Sequence, residues 1–232
     1  MGGAYPGFVA SLTSSFSMIL VTELGDKTFF IAAILAMKHS RALIYTGAMG
    51  ALGVMTVLAV ALGNIAPLLL PKRYTHYAAA ILFVGFGLNL LRDAWKMSGN
   101  AASEELEEVE AELGGAADEE SQPLRGGSSG DATGSRNSLL AAIPAPLIQS
   151  FTLTFLAEWG DRSQVATIAL AASKEPIGVT IGAVAGHALC TGLAVIGGRM
   201  LASSISERTV AVSGGILFLA FAVAAFVYGP DE

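Results

Sequence analysis

The sequence Glu23-Leu24-Gly25-Asp26-Lys27-Thr28 returns 135 residues later as Glu158-Trp159-Gly160-Asp161-Arg162-Ser163. Each copy places two acids, a base and a hydroxyl inside an apolar segment, 8–37 for the first motif and 143–172 for the second. An ionisable side chain inside a bilayer is costly unless it pairs or lines a polar cavity, so acids at such positions indicate a functional site. The two motifs therefore bear on both the fold and the site.

The repeat extends well beyond the motifs. When residue n is placed over residue n+135 without a gap, identical pairs include Phe16/Phe151, Leu35/Leu170, Gly47/Gly182, Thr56/Thr191, Leu58-Ala59-Val60 over Leu193-Ala194-Val195, and Ile81-Leu82-Phe83 over Ile216-Leu217-Phe218. Two apolar segments agree partly by chance because Ala, Leu, Gly and Val dominate both. The charged Glu-x-Gly-Asp match has no such explanation and indicates an internal duplication.

The composition excludes an ordinary soluble domain, since 53% of residues are hydrophobic, 14% are charged and the mean hydropathy is +0.61. Four windows without Asp, Glu, Lys or Arg, at 42–71, 74–91, 177–198 and 209–229, suit transmembrane helices. With the two motif windows they predict an all-α multi-pass membrane protein of six transmembrane helices. Residues 8–97 form the first three-helix repeat and 143–229 the second. Because three spans is an odd number, the second repeat crosses the membrane in the opposite sense, as in many secondary transporters.

The segment 98–140 separates the repeats and differs from them in character. It holds ten of the 19 acids, mostly in a Glu-rich run at 103–113 of helical composition, and then becomes rich in Gly and Ser. We interpret it as a solvated linker, with a cation-collecting or regulatory element as the alternative. Outside it, 9 acids face 11 bases, which offers no basic stripe for nucleic acid.

The distribution of Lys and Arg predicts the orientation. With six spans, one side collects eight of them (Lys38, Arg41, Arg92, Lys96, Arg125, Arg136, Arg199 and Arg208) and the other side three (Lys72, Arg73 and Lys174). The positive-inside rule then places the linker in the cytosol and both termini on the lumenal or external side.

The motifs predict a site for a hard divalent cation. Glu and Asp at i and i+3 lie on one face of a helix, with Thr28 or Ser163 two residues further on, so four carboxylates can converge where the repeats meet. Gly25 and Gly160 permit close helix approach or a local break. Oxygen ligands suit Ca²⁺, Mn²⁺ or Mg²⁺ and, without Cys or His near either motif, do not favour Zn²⁺ or Cu⁺.

Formal charge links this cation to protons. The four motif acids with Lys27 and Arg162 sum to −2, which one divalent cation or two protons would neutralise. The sequence therefore predicts that metal and protons compete for the site, as cation/proton exchange requires.

Several of these residues also have a purely structural interpretation. The motif charges could form a buried ion-pair network that only fixes helix register. Gln164 is either a ligand or makes a helix–helix hydrogen bond, and for His187 a packed or hydrogen-bonded role is favoured over a proton relay.

The single Cys190 excludes an intramolecular disulfide. His-Glu-x-x-His does not occur, and the single Gly-x-Ser-x-Gly, at 126–130, lies in the Gly/Ser-rich part of the linker, so the protein is not expected to be an enzyme.

The paired motifs, placed in the first and fourth of six spans around an acidic loop, resemble the transmembrane protein 165 family. The resemblance covers the chain except the linker, and the runs from Glu23 to Met37 and from Glu158 to Ala172 are similar to the Golgi-type eukaryotic members. It implies transport of Mn²⁺ and Ca²⁺ from cytosol to lumen in exchange for protons, with no tightly bound cofactor. The metal ligands that it implies are Glu23, Asp26, Thr28, Glu158, Asp161, Ser163 and Gln164.

The resemblance also bears on location. The N-terminal residues show neither a signal peptide nor a plastid-type extension, so a Golgi or other secretory membrane is expected, with a chloroplast or cyanobacterial membrane as the alternative. The expected partners are the lipid bilayer, divalent cations and protons, and a homo-oligomer is compatible with the sequence. Two rival functions are export of a small organic solute and a membrane scaffold with structural charges.

Overall fold

The computed structural model describes residues 4–97, 104, 106–113, 143–202 and 206–229, and all regular structure in these ranges is α-helical. In chain order, the main helices are α1 (Ala4–Glu23), α2 (Lys27–Lys38), α3 (Arg41–Leu69), α4 (Lys72–Lys96), α5 (Ala145–Glu158), α6 (Arg162–Ser173), α7 (Pro176–Ala202) and α8 (Glu207–Tyr228). The predicted all-α class is confirmed.

Four of these helices, α3, α4, α7 and α8, are long and apolar enough to cross a membrane. A shorter apolar helix, Gly7–Glu23, lies within α1. These lengths and compositions agree with an integral membrane protein. The six spans and the opposite orientation of the repeats stay predictions.

Each motif breaks its apolar window into two helices. Glu23 is the last residue of α1 and Asp26 precedes the first residue of α2, while Glu158 and Asp161 hold the same places at α5 and α6. Gly25 and Gly160 both have φ of +80°, a left-handed conformation that glycine adopts without a steric penalty. The expectation that Glu and Asp share one face of a continuous helix was therefore wrong, and the break is what the structure shows.

The two sequence halves interlock. Helix α1 packs mainly on α7, and α3 packs on α5 and α6. Ser15 Oγ donates a hydrogen bond to the Val179 carbonyl at 2.8 Å, and Ser150 Oγ donates one to the Ile44 carbonyl at 2.8 Å. The 135-residue offset converts one hydrogen bond into the other, so the duplication is visible in tertiary contacts as well as in sequence.

Glycine allows this close packing. A Cβ atom on Gly47 would lie 2.9 Å from Ser150 Cβ, and one on its counterpart Gly182 would meet the backbone of Leu12. Small residues at helix contacts are the usual means by which membrane helices approach closely.

Residues 106–113 form a short helix, the linker helix, that docks on the first half. Leu106, Val109 and Leu113, spaced along one helical face, are buried in the same apolar cluster as residues of α2. The Nζ atom of Lys27 lies 2.8 Å from Glu112 Oε2. This part of the segment 98–140 is therefore packed, whereas the Gly/Ser-rich stretch lies outside the described residues.

A candidate cation site at the two helix breaks

Three of the four motif acids converge at the breaks. One carboxylate oxygen from each of Glu23, Glu158 and Asp161 lies within 4.8 Å of the others. The Glu23 and Glu158 side chains are almost fully buried, at 3% and 2% exposure. Because burying charge is unfavourable unless it is compensated, this cluster needs a cation or protons.

The fourth acid, Asp26, links the motifs in another way. Its Oδ1 lies 3.8 Å from the Nη2 atom of Arg162, so the first motif's aspartate faces the second motif's base. The Asp26 side chain is 29% exposed, unlike the buried glutamates. We therefore place Asp26 at the edge of the cluster.

The second motif makes hydrogen bonds with its own backbone. The Asp161 carboxylate caps α6, accepting hydrogen bonds from the N–H groups of Ser163 at 2.9 Å and Gln164 at 2.8 Å. Ser163 Oγ lies 3.1 Å from Asp161 Oδ1 and 3.5 Å from Glu158 Oε2. These contacts orient the Asp161 carboxylate and bring the Ser163 hydroxyl close to both acids.

Gln164 makes a hydrogen bond within its own motif, and its predicted role as a ligand stays a prediction. Its Oε1 atom accepts a hydrogen bond at 2.7 Å from the N–H of Gly160, within the break that precedes its own helix. The amide oxygen therefore stabilises the left-handed turn. The side chain also lines a cavity beside Glu158.

The ion pair between Lys27 and Glu112 changes the charge balance. The sequence count of −2 included Lys27 but not Glu112 of the linker helix, whose carboxylate pairs with the Lys27 ammonium group. With Glu112 included, five carboxylates face two cationic side chains. The surroundings are thus more negative than predicted, which favours a bound cation further.

Two small cavities, of about 10 Å³ each, flank the glutamates. The first cavity is lined by Glu23, Thr28, Phe29, Ala32, Ala48, Leu52, Thr154, Cys190 and Thr191. The second cavity is lined by Leu52, Met55, Thr56, Ala59, Glu158, Ser163, Gln164, Thr167 and His187. The offset of 135 converts most of the first lining into the second, so the cavities are repeat-related.

The two cavities differ in polarity. At three matched positions the first cavity has Phe29, Ala32 and Leu52, where the second has Gln164, Thr167 and His187. Sequence reasoning missed Thr167 and Thr191 as lining residues. The repeat offset carried a signal for Thr191, which matches Thr56. Thr167 matches Ala32, and its only signal was its place one helical turn after Ser163.

The comparison with protein families shows to which family the chain belongs. The model of a family described as "Divalent cation/proton antiporter GDT1" matches residues 11–98 and 146–232. The chain belongs to the GDT1 family. This confirms the resemblance inferred from the motifs, and a GDT1 protein is a transporter and not an enzyme.

Curated GDT1 relatives match nearly the whole chain. GDT1-like protein 3 of Arabidopsis thaliana is 49% identical over 97% of this chain and 73% of its own length. GDT1-like protein 5 of the same plant is 44% identical, covering 96% of both chains. A GDT1-like protein of Synechocystis is 43% identical over 93% of this chain and 96% of its own. No solved structure matches.

Proposed function

We propose that this GDT1 protein carries Mn²⁺ and Ca²⁺ from the cytosol to a lumen in exchange for protons, through the carboxylate cluster at the two helix breaks. The observation that carries the proposal is the convergence of Glu23, Glu158 and Asp161 oxygens within 4.8 Å. The proposed ligands are these acids with Asp26, Thr28, Ser163 and Gln164.

The ligand chemistry supports a hard divalent cation. Among the described residues, one oxygen of Glu23 and one of Glu158 are buried without a hydrogen-bond partner. A buried carboxylate oxygen without a partner loses its solvation, and a bound cation or proton would restore a partner. Carboxylate and hydroxyl oxygens are the donors that Ca²⁺ and Mn²⁺ accept.

The same geometry supports exchange. Metal binding requires deprotonated carboxylates, so protons and the metal compete for the same oxygens. A carboxylate cluster that must be neutralised either by the metal or by protons would couple the flux of metal to the flux of protons.

Interlocked halves support alternating access. Repeat-related hydrogen bonds at Ser15 and Ser150, with repeat-related cavities beside Glu23 and Glu158, fit two inverted repeats of three spans that rock around a shared central site. The excess of Lys and Arg on the linker side supports transport out of the cytosol. We propose a Golgi or related secretory membrane, with a plastid or cyanobacterial-type membrane as the alternative.

Reconstituted transport tests the proposal. Purified protein in liposomes is expected to take up Mn²⁺ and Ca²⁺ when a pH gradient is imposed and to lose this uptake when the gradient is collapsed. Glu23→Gln and Asp161→Asn should each reduce gradient-driven uptake by at least about tenfold, because each removes one anionic ligand.

Glu108→Gln is the matched control, since it neutralises an exposed acid on the linker helix. Its uptake should equal that of the wild type. Uptake by wild-type protein that ignores the pH gradient would contradict exchange, and wild-type rates in both motif variants would contradict the proposed site.

A further inference from the structure

His187 is the one histidine that the structure places in the interior. His39 is exposed at the end of α2, and the Nε2 atom of His76 lies 2.8 Å from the Ala225 carbonyl. His187, on α7, is only 5% exposed and lines the second cavity with Glu158 and Ser163.

The His187 ring faces Glu23 and lacks a hydrogen bond on one nitrogen. Its Nδ1 atom is buried and has no hydrogen-bond partner in the described parts of the chain. That atom lies 4.0 Å from Glu23 Oε2, too far for a hydrogen bond. A buried polar atom without a partner is costly, so the position needs something that the protein alone does not supply.

The spacing fits two ligands of one metal ion. Metal–ligand bonds of about 2.1 Å place two donors about 3.0 Å apart at a right angle and about 4.2 Å apart in line. The separation of 4.0 Å between Nδ1 and Glu23 Oε2 falls within this range. An ion there would give His187 Nδ1 the partner that it lacks and would be bound by the Glu23 carboxylate.

We infer that His187 is a nitrogen ligand of the transported cation and biases the site toward a first-row transition metal such as Mn²⁺ over Ca²⁺. This inference rests on the proposed function. Ca²⁺ takes oxygen ligands, whereas transition metals also accept imidazole nitrogen. The repeat supports an acquired role, because Leu52 occupies the matching position and offers no donor.

Binding of each metal alone to the purified protein tests the inference. The ratio of Mn²⁺ to Ca²⁺ affinity is expected to fall at least about tenfold in His187→Leu, which installs the side chain of the repeat-related position. His187→Gln, which offers an amide oxygen in place of the ring nitrogen, should lower the same ratio. His39→Leu is the matched control and should leave the ratio unchanged.

A spectroscopic measurement avoids dependence on how the variants fold. Pulsed EPR of Mn²⁺ bound to the wild type should show hyperfine coupling to one imidazole nitrogen, and the coupling should persist in His39→Leu and vanish in His187→Gln. Bound Mn²⁺ without nitrogen coupling, together with an unchanged affinity ratio in both His187 variants, would overturn the inference alone. Absence of saturable binding of either ion to the wild type would instead overturn the proposed function.

Discussion

At the scale of single residues, Gly160 shows how the site depends on backbone conformation. Its φ of +80° lies in the left-handed region, and a Cβ atom added there would meet no other atom within 4 Å. Any cost of a side chain at this position therefore comes from the backbone itself. The break that separates Glu158 from Asp161 depends on this one residue type.

Gly160→Ala should therefore destabilise the protein by about 1–2 kcal/mol, the usual penalty for an L-residue in this conformation. Thermal unfolding in detergent measures the change. Gly53→Ala is the control, because Gly53 lies inside α3 with equally open space around its Cα. Equal unfolding temperatures of Gly160→Ala and Gly53→Ala would show that a side chain at position 160 does not strain the left-handed turn.

Protons should compete directly with the cation at Glu158. Since the metal binds only deprotonated carboxylates, the apparent Mn²⁺ affinity of the wild type is expected to fall as the pH is lowered from neutral to mildly acidic. Titrations of Mn²⁺ binding at several pH values measure this slope. Glu158→Gln binds more weakly and should show a shallower slope, because one competing protonation is gone; an equal slope would place the competition elsewhere.

At the scale of helices, the linker helix is the element whose burial the sequence did not predict. Its Glu-rich run predicted a solvated segment, yet Leu106, Val109 and Leu113 are spaced along one helical face and are buried. This apolar stripe was not recognised in the sequence, because only three of the eight residues 106–113 form it and most of the others are charged. Which surface it would cover followed from tertiary packing against α2 and not from any local pattern.

Val109→Ala should loosen this helix without affecting the rest of the fold. The lost burial of two methyl groups, at about 0.8 kcal/mol each, corresponds to about tenfold less protection of the amides of residues 106–113 in hydrogen exchange. Glu108→Ala, a truncation at the exposed neighbouring position, is the control and should retain protection. Equal protection in the two variants would mean that Val109 does not hold the helix in place.

The other elements were predictable to different degrees. Uncharged windows located α3, α4, α7 and α8, because bilayer-length apolar runs have few alternatives. The motif windows looked like single spans because hydropathy does not register a break of three residues. Gly25 and Gly160 carried the signal for it, but glycine at close helix contacts was an equally good explanation. Contact between His187 and Glu23 arises from the packing of α7 against α1, which no local pattern encodes.

At the scale of the whole molecule, the halves are joined by repeat-related contacts. The 135-residue offset read from the motifs also relates the hydrogen bonds of Ser15 and Ser150 and the two cavities. Identity between the repeats therefore predicted equivalent positions well. Differences between the repeats, such as Leu52 against His187, are where the two cavities acquire different chemistry.

Ser15→Ala and Ser150→Ala should destabilise the protein by similar amounts, about 1 kcal/mol each, because each removes one buried hydrogen bond of 2.8 Å between the halves. Thermal unfolding in detergent compares them. Ser213→Ala is the control, since the Ser213 hydroxyl is exposed and bonds only within its own helix. Clearly unequal effects of Ser15→Ala and Ser150→Ala would show that the two contacts are not equivalent in energy.

Helices of the first half pack on helices of the second half, and this has a consequence for biosynthesis. Ser15 and its acceptor Val179 are 164 residues apart, so α1 is synthesised long before the helix on which it packs. The first half of the chain must therefore persist during synthesis with the surface that contacts α7 uncovered. Nascent chains arrested after the linker should be recognised by membrane quality control, and co-expression of the missing half should rescue them.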